Sequence, residues 1–316
     1  MFPNEYYNAY KIMDNENSKT FINNSTQRFE RIHKKKFNKW LVSDFLDIKE
    51  IQDKIKGLVL TARIQMLGIP KRYLTYKGKT NTQIWIQYRN SINELYDELN
   101  SKNAKNKKTA REQTNFISYK FAREEFIKYM PKIKEMKYKQ FRNCLITGFY
   151  VLQSPVRLSN LQHLNYIEPN TIQLKNIVDK TKNYITKNNG IWEVQYNNFK
   201  TASKLGSLNF KITEPNLIEL LDIYIGRYPI KPNKQFLYAK YDFSESKICS
   251  ITIGYAITKI IKLITGIDNV TLNTLRHSLI TEFHSSIHSI EDKKQLAKEM
   301  GQTFRINMQD YYIKLD

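Results

Sequence analysis

Residues 183–196 read NYITKNNGIWEVQY, and this stretch decides the fold class of the chain. Strand-like runs stand on both sides of Asn189-Gly190, the dipeptide that most strongly favours a two-residue β-hairpin turn. A further strand-like run, Ser207 to Ile212, follows Gly206. The pattern therefore predicts a small antiparallel sheet of three strands.

The sequence on both sides of this sheet has helical periodicity. Upstream, apolar residues recur at helical spacing at Phe141, Leu145, Phe149 and Leu152. That helix is expected to end near Ser154-Pro155, because the residue before a proline is pushed out of the α region. Downstream helices are expected over residues 215–226, 253–265, 272–287 and 293–300. The fold is predicted to be mainly α with a small antiparallel β-sheet, which is the α+β class.

A polar and basic segment, SKNAKNKKTAREQ at residues 101–113, has no large apolar side chain and is typical of a linker. The region before it has its own helical periodicity, at Ile84, Tyr88, Ile92, Leu95 and Leu99. Its helices are expected to break at Gly68, Pro70 and Gly78. We therefore predict a helical domain over residues 1–105 and an α+β domain over residues 106–316, which suits a chain of 316 residues.

The composition indicates a polyanionic partner. The chain has 51 lysine and arginine residues against 30 aspartate and glutamate residues, a formal net charge of +21. Its hydrophobic content of 41% excludes global disorder. It has no P-loop, no Gly-x-Gly-x-x-Gly fingerprint and no Gly-x-Ser-x-Gly elbow. Nucleotide-driven, dinucleotide-dependent and serine-hydrolase chemistries therefore lack their usual residues.

The two cysteines, Cys144 and Cys249, lie in apolar segments and are expected to be buried free thiols. They cannot form a disulfide framework, which fits a reducing compartment. The N-terminal residues have no signal-peptide pattern, and no apolar run approaches the roughly 18 residues of a membrane span. The sequence predicts an intracellular protein that is not secreted and has no membrane partner.

Several residues suit chemistry on a phosphodiester. A basic protein without an acidic metal cluster must neutralise the transition state with its own cations and supply its own nucleophile. Arg157 is expected to begin a helix directly after a turn, and Arg276 to lie on a helix beside a buried apolar stripe. Tyr311 and Tyr312 follow Arg276 by 35 and 36 positions. Read singly, each is more simply a surface arginine or a packed tyrosine.

Four sequence boxes, taken in order, resemble the tyrosine recombinase, or phage integrase-like, family. They are Arg157-Leu-Ser-Asn-Leu after a turn, a lysine in a β-hairpin, Thr274-Leu-Arg-His-Ser on a helix, and Gly301 followed by nine residues and Tyr311. The resemblance covers residues 105–316. In style, the Asn198–Gly206 segment and the basic linker are similar to recombinases of large DNA viruses, virophages and related mobile elements.

The resemblance implies a helical core-binding (SAM-like) domain and a tyrosine-recombinase catalytic domain that form a C-shaped clamp on double-stranded DNA. The implied activity is site-specific recombination or integration through a 3′-phosphotyrosyl intermediate, by a homo-oligomer that is a tetramer on DNA, a dimer of dimers. We expect no cofactor and no metal, because the covalent ester conserves the energy of the broken strand. A viral origin would place the protein in the host cytoplasm or nucleus.

The resemblance also assigns roles to individual cations. Arg157 and Arg276 correspond to the two arginines that clamp the non-bridging oxygens of the scissile phosphate, where a planar fork of donors fits well. Lys200 corresponds to the lysine that protonates the departing 5′ oxygen. Lys204 is a nearby alternative for that role.

Two adjacent tyrosines are candidates for the nucleophile. The spacing from Gly301 points to Tyr311, whereas the Tyr-Tyr-x-Lys ending points to Tyr312. Two positions depart from the family pattern: Asn273 stands where His or Lys is usual, and Gln302 where His or Trp is usual. Both amides can donate hydrogen bonds but cannot act as a general acid or base. His277, beside Arg276, is a possible helper.

The predicted contacts with the DNA backbone are basic residues near the N-terminus and in the linker. They are Lys34, Lys35, Lys36, Lys107, Lys108 and Arg111. His284 and His288 have the i, i+4 spacing of a metal pair, but no third ligand is evident, and solvated helix polarity is the simpler interpretation.

Three other functions fit parts of the sequence. A type IB topoisomerase uses the same chemistry to relax DNA. A catalytically degenerate integrase would bind DNA only, and Asn273 and Gln302 favour that interpretation. An RNA-binding protein is disfavoured, because no aromatic RNP-like strand pattern is present.

Overall fold

The structure is a computed structural model. It describes residue 6 and residues 17–103, 116–170, 174–177, 179–228, 230–232, 234–238 and 248–308. The chain divides into two compact units, Met1–Lys105 and Asn106–Asp316. Each unit has its own apolar core.

The first unit is helical throughout its described residues. Its helices are α1 (Asn17–His33), α2 (Ile48–Ile55), α3 (Leu60–Tyr76) and α4 (Gln83–Asn103), with 3-10 turns at Phe37–Lys39 and Val42–Phe45. Aromatic side chains fill the space between them, and the Trp40 ring lies 5.5 Å from the ring centres of both Phe29 and Tyr73. The Tyr73 hydroxyl donates to the Trp40 carbonyl at 2.5 Å, which satisfies the buried phenol.

The expectation that Gly68 and Pro70 separate two helices is wrong. Both lie inside α3 and both are buried, so core packing outweighs their low helix propensity. The side chain of Arg72 passes directly over Gly68, and its Nη2 lies 2.6 Å from the position a Cβ would take there. Gly78, with a φ of +68°, does mark the turn after α3.

The second unit combines helices with a small sheet. Its helices are α5 (Tyr119–Ile133), α6 (Tyr138–Val151), α7 (Leu158–Gln162), α8 (Ala202–Leu205), α9 (Pro215–Arg227), α10 (Ser250–Thr265), α11 (Leu272–Ser285), α12 (Ile290–Glu299) and α13 (Phe304–Ile306). Its strands are β1 (Leu164–Tyr166), β2 (Asn183–Asn188), β3 (Ile191–Tyr196) and β4 (Leu208–Lys211). The α+β class is confirmed.

The sheet differs from the prediction in one strand. Within the described part of the chain it has four strands in the order β1-β2-β3-β4, and β1 runs parallel to β2 while the other pairs are antiparallel. The sheet is therefore mixed, and the prediction of three antiparallel strands is incomplete. Strand β1 is only three residues long, too short for an alternating pattern to stand out.

The hairpin itself forms as predicted. Asn189 and Gly190 have φ angles of +48° and +81°, as a two-residue turn with both central residues left-handed requires. Helix α6 is buried from Phe141 to its end at Val151, and it ends before Pro155 as the sequence indicates. Helices α9 and α10 pack against it and form the centre of the core.

The two cysteines differ in exposure. Cys144 is buried in α6, as expected, whereas Cys249 is exposed at the N-cap of α10. The apolar run that follows Cys249 belongs to the helix, and the cap residue itself stands outside the core. Within the part of the chain that the structure describes, no helix is long and apolar enough to cross a bilayer.

The two glycines of α10 provide a test of its helix boundary. Gly266 caps the helix with a φ of +73°, so Gly266→Ala should lower the free energy of unfolding by about 1–2 kcal/mol, the cost of a left-handed alanine. Gly254→Ala is the matched control inside the helix, where the new Cβ meets Leu158 at an ordinary 3.7 Å. It should raise stability by up to about 1 kcal/mol. Urea unfolding of the full chain measures both, and equal signs would contradict the assigned boundary.

Candidate functional site

Arg276 lies in the interior of the second unit. Its side chain is 1% exposed, on the buried face of α11. Its Nη1 donates to the carbonyl of Pro155, and its Nη2 donates to the carbonyl of Met300 at 3.3 Å. One guanidinium therefore joins two segments that are far apart in sequence.

Arg157 stands two residues after the carbonyl that Arg276 binds. It is the N-cap residue of α7, with an extended backbone and a half-buried side chain. Its Nε is buried and has no hydrogen-bond partner among the described residues. The preceding Ser154 donates its hydroxyl to Glu299 at 2.7 Å, which fixes the same segment to the end of α12. The backbone that leads to Arg157 is thus fixed by two contacts, one with Arg276 and one with Glu299.

The turn after α12 contains Gln302, two residues after Met300, whose carbonyl accepts from Arg276. Gly301 has a φ of +63° and donates its N–H to the carbonyl of Lys298, while the N–H of Gln302 returns to the carbonyl of Ala297. These are the two hydrogen bonds of a Schellman motif, so the direction in which the chain leaves the helix is fixed by the glycine. Gln302 is 1% exposed.

The turn that carries Lys200, called the lysine turn below, is hydrogen-bonded to Gly301. The hydroxyl of Thr201 donates to the carbonyl of Gly301 at 2.7 Å, and the buried Phe199 ring packs against Gly301. Lys200 lies between these two anchored neighbours, and its side chain is exposed. Lys204 is also exposed, on the short helix α8 that follows.

Asn183 holds the lysine turn from its other side. It is completely buried at the start of β2, and its Nδ2 donates to the carbonyls of Asn160 and Asn198 at 3.0 and 3.1 Å. Its Oδ1 accepts from the N–H groups of Asn197 and Asn198 at 2.9 and 2.8 Å. Because Asn160 belongs to α7, this side chain connects the helix that Arg157 begins to the turn that carries Lys200. Nothing in the hairpin pattern distinguishes it from the neighbouring asparagines.

A buried polar chain runs behind Gln302. Its Oε1 accepts from Nδ2 of Asn307 at 3.0 Å, and Oδ1 of Asn307 lies 2.7 Å from Nε2 of His284. The interpretation of His284 as solvated polarity is wrong, because the residue is 9% exposed and burial lowers its pKa. His288 is exposed and stacks on Phe283 at 3.8 Å. The described residues contain no cluster of three or more metal-ligating side chains.

The other candidate helpers lie on α11. Asn273 is exposed in its first turn, three residues before Arg276 and therefore on the same side of the helix. His277 follows Arg276 directly and is half-buried. Both are close to Arg276 along the helix.

Tyr150, which lies close enough to Arg276 for the arginine charge to affect its pKa, and its neighbour Tyr196 are unsuited to nucleophilic attack. Tyr150 is fully buried, and its burial, with the neighbouring Tyr196, raises its pKa well above the ordinary value although the Arg276 charge opposes this. Burial also raises the pKa of Tyr196. Both phenols therefore stay neutral and inaccessible. Tyr311 and Tyr312 lie outside the described residues.

The three-lysine run in the first unit is only partly available to a ligand. Lys35 binds both carboxylate oxygens of Asp44 at 2.7 and 2.6 Å. Lys36 lies 3.8 Å from a carboxylate oxygen of Glu30 and is largely exposed, and Lys34 is exposed at a left-handed turn position. The other predicted contacts, Lys107, Lys108 and Arg111, lie outside the described residues.

A second basic cluster in this unit was not singled out from the sequence. The Lys71 ammonium lies 4.7 Å from the ring centre of Trp85, and partial burial, together with the nearby Arg89 charge, lowers the pKa of Lys71. Neither cation forms an ion pair with a carboxylate in the part of the unit that is described. The Trp85 ring is fixed by its N–H, which donates to Thr75 at 2.9 Å. Helix pairing between α3 and α4 creates this cluster, and spacing along either helix does not reveal it.

The contacts gather donors and cations from four segments of the second unit. Arg276 is bonded to the Pro155 and Met300 carbonyls, Thr201 is bonded to Gly301, and Asn183 connects α7 to the turn that carries Lys200. Arg157 and Gln302 each keep a buried side-chain nitrogen without a partner among the described residues. Such an arrangement suits an anion with several oxygens, because each unpaired donor gains an acceptor on binding.

Comparisons with known proteins give a distant structural likeness. No protein-family model matches the chain, and no curated protein matches it. Among solved structures, a chain titled "Crystal structure of XerA recombinase" is 12% identical in sequence, with a TM-score of 0.41. The match covers 99% of this chain and 94% of that chain.

The Asn183 contacts predict a large effect of a small substitution. Asn183→Asp keeps the two accepted hydrogen bonds but turns a carboxylate oxygen toward the carbonyls of Asn160 and Asn198. We expect a loss of about 3 kcal/mol in the free energy of unfolding at pH 8, since a buried charge then faces two acceptors. Urea unfolding of the full chain measures it.

The matched control is Asn198→Asp, in the same turn. That side chain is exposed and donates to the carbonyl of Thr181, so its loss should stay below about 1 kcal/mol. Equal losses for the two substitutions would show that Asn183 is not the residue that holds the turn.

Proposed function

We propose that this protein is a site-specific DNA recombinase or integrase that cleaves and rejoins DNA strands through a 3′-phosphotyrosyl intermediate. The observation that carries the proposal is the buried Arg276 guanidinium, which joins the segment leading to Arg157 to the turn that holds Gln302, with the Lys200 turn bonded to that same turn. Resemblance of the four sequence boxes to tyrosine recombinases supports the same assignment. Double-stranded DNA is the proposed substrate.

The two arginines and Gln302 are the proposed ligands of the scissile phosphate. Arg157 brings a buried Nε without a partner among the described residues, and Gln302 brings a buried amide nitrogen in the same condition. A phosphodiester has two non-bridging oxygens and can accept from both. Charge-assisted hydrogen bonds of this kind contribute about 1.5–3 kcal/mol each.

The chemistry proceeds by exchange of one ester for another. The phenol oxygen of Tyr311, or alternatively Tyr312, forms a bond to phosphorus as the bond from phosphorus to the 5′ oxygen breaks. The phenol proton leaves to solvent, and Lys200, or alternatively Lys204, gives a proton to the departing 5′ oxygen. The number of phosphate ester bonds is unchanged, so religation needs neither ATP nor a metal ion.

The cations make this attack feasible near neutral pH. Tyrosine has an ordinary pKa of about 10, so it is almost entirely protonated before the reaction. Guanidinium and ammonium groups favour the developing phenolate and the extra negative charge on phosphorus in the transition state. Lys200 and Lys204 are exposed, which supports their proposed contact with a bound duplex.

Asn273 and Gln302 favour a second candidate function, a DNA-binding protein that has lost catalysis. Both amides replace residues that help orient the phosphate in the family that the sequence resembles. A type IB topoisomerase is the alternative within the same chemistry. Exchange of strands between two duplexes distinguishes recombination from simple relaxation, and a tetramer, as a dimer of dimers, is the proposed recombining species.

Covalent trapping tests the chemistry. The full chain should form an SDS-stable adduct with a labelled, nicked suicide duplex in EDTA without ATP. Either Tyr311→Phe or Tyr312→Phe should abolish the adduct, because only one phenol attacks. Gel electrophoresis under denaturing conditions measures the adduct.

One further variant and two contrary outcomes complete the trapping experiment. Arg157→Ala should leave the melting temperature close to wild type, since its side chain makes no cap hydrogen bond, and should slow adduct formation by at least about 100-fold. If no duplex yields an adduct although the wild type binds DNA, the degenerate DNA-binding function replaces the proposal. An adduct that survives both tyrosine substitutions would place the nucleophile elsewhere.

We expect Lys71 and Arg89 of the first unit to make a salt-dependent contribution to DNA affinity. Lys71→Ala combined with Arg89→Ala should weaken binding to any duplex sequence, because phosphate contacts carry no base information. The slope of log affinity against log salt should fall by about 1 for each contact removed. Fluorescence anisotropy over a range of salt concentrations measures both quantities.

One single substitution serves as the control for that experiment. Lys56→Ala removes an exposed cation that lies 3.6 Å from Asp53. It should leave the salt slope within experimental error. A slope that falls equally for Lys56→Ala would mean that the general positive charge, and not the Lys71 cluster, sets the affinity.

A further inference from the structure

We propose that Asn307 and His284 are positioning residues that hold the side-chain amide of Gln302 with its NH2 group toward the bound phosphodiester. The inference rests on the proposed function, because it assigns the phosphate as the ligand of Gln302. It goes further by naming two residues of this chain that act through Gln302 without touching the substrate.

The side-chain amide of a glutamine can be placed in two orientations, which exchange its oxygen and its nitrogen. Its amide has an oxygen that only accepts and a nitrogen that only donates, and the two ends have almost the same shape. A phosphate oxygen is an acceptor, so only the nitrogen end of Gln302 can bind it. A histidine or tryptophan at this position would offer a ring N–H, whereas a glutamine must be held in one of its two orientations.

A hydrogen bond from Asn307 selects one of the two orientations of the Gln302 amide. Nδ2 of Asn307 donates to Oε1 of Gln302 at 3.0 Å. The oxygen end is therefore occupied from behind, which leaves Nε2 as the end available to a ligand. Nε2 of Gln302 is buried and has no hydrogen-bond partner among the described residues. A buried donor in this state costs about 1–3 kcal/mol, which a phosphate oxygen would recover.

Asn307 is itself oriented by a contact with His284. Its Oδ1 lies 2.7 Å from Nε2 of His284, and the two residues are 0% and 9% exposed. Because Nδ2 of Asn307 donates to Gln302, its Oδ1 must accept, so His284 carries a proton on Nε2. The three side chains form one directional chain, from His284 through Asn307 to Gln302. Reversing Gln302 would set two NH2 groups against each other.

The backbone fixes two members of this chain, Asn307 and Gln302. The N–H of Asn307 donates to the carbonyl of Thr303 at 3.0 Å, and Gln302 occupies the Schellman turn described above. The carbonyl of Met300, in the same turn, accepts from Arg276 at 3.3 Å. The position of the Gln302 backbone is therefore set by one group of contacts, and the orientation of its amide by another. The hydrogen bond that orients the amide can be removed while the backbone contacts remain.

The test is a double-substitution cycle on the rate of adduct formation. Asn307→Asp keeps the size of the side chain and its acceptor for His284, but loses the donor to Gln302, which can then turn its NH2 group away from the phosphate. Gln302→Met keeps the length of the side chain and removes the amide. Asn307→Asp should slow single-turnover adduct formation by about 10–100-fold, the range for loss of a supporting partner. Gln302→Met should slow it by about 100–1,000-fold, the range for loss of one transition-state donor.

The two effects should not add. If Asn307 acts only through Gln302, Asn307→Asp should cause no further slowing in the Gln302→Met background. Multiplied effects in the double variant would overturn the inference and make Asn307 a residue of general structure. Gln140→Glu, which adds the same charge on the exposed face of α6, should leave the rate within about twofold of wild type.

A measurement without catalysis separates this inference from the proposed function. In protein labelled with 15N-glutamine and 15N-asparagine, one asparagine side-chain NH2 signal should exchange slowly with solvent and lose that protection in Gln302→Met. Addition of a duplex should shift the NH2 signal of Gln302. If the wild type forms no adduct but both results hold, the proposed catalysis fails and the orientation stands. If the duplex shifts no such signal, the inference fails.

Discussion

The buried guanidinium of Arg276 is the interaction on which the geometry of the α+β unit depends. A charged side chain that is 1% exposed has given up its hydration, and it must recover that cost from hydrogen bonds. The acceptors include the carbonyls of Pro155 and Met300, which belong to segments about 120 and 24 residues away in sequence. Displacement of either segment would take one of these acceptors away from the buried charge. The register between the start of α7 and the end of α12 is therefore fixed by electrostatics as well as by packing.

Features with a local cause could be predicted from the sequence. The hairpin turn at Asn189-Gly190, the end of α6 before Pro155 and the cap of α10 at Gly266 each depend on the backbone preference of one or two residues. Features that depend on the environment could not be predicted in this way. Pro70 stands inside a helix because the core buries it, and three-residue β1 depends on partners on both edges, β2 on one side and residues 234–236 on the other.

The same distinction applies to the candidate site. Arg157, Lys200, Arg276 and Gln302 were named by motif, and the hydrogen bonds that join their segments add a physical reason for treating them together. Asn183 and Asn307 could not be named, because an asparagine in an asparagine-rich chain has no distinctive spacing. Their importance lies in full burial combined with several hydrogen bonds. In the first unit, likewise, a run of lysines attracts attention while the carboxylate that engages Lys35 comes from another segment.

A glutamine at the end of α12 changes how the proposed site must balance charge. A histidine there could carry a proton and share in neutralising the phosphate, but an amide stays neutral at every pH and contributes only a dipole. The positive charge must then come from the arginines and lysines. Dipoles stabilise a developing charge well only when they are already oriented, because reorientation during the reaction costs free energy. A neutral donor at this position therefore needs a rigid support more than a charged one does, and the buried chain from His284 through Asn307 supplies it.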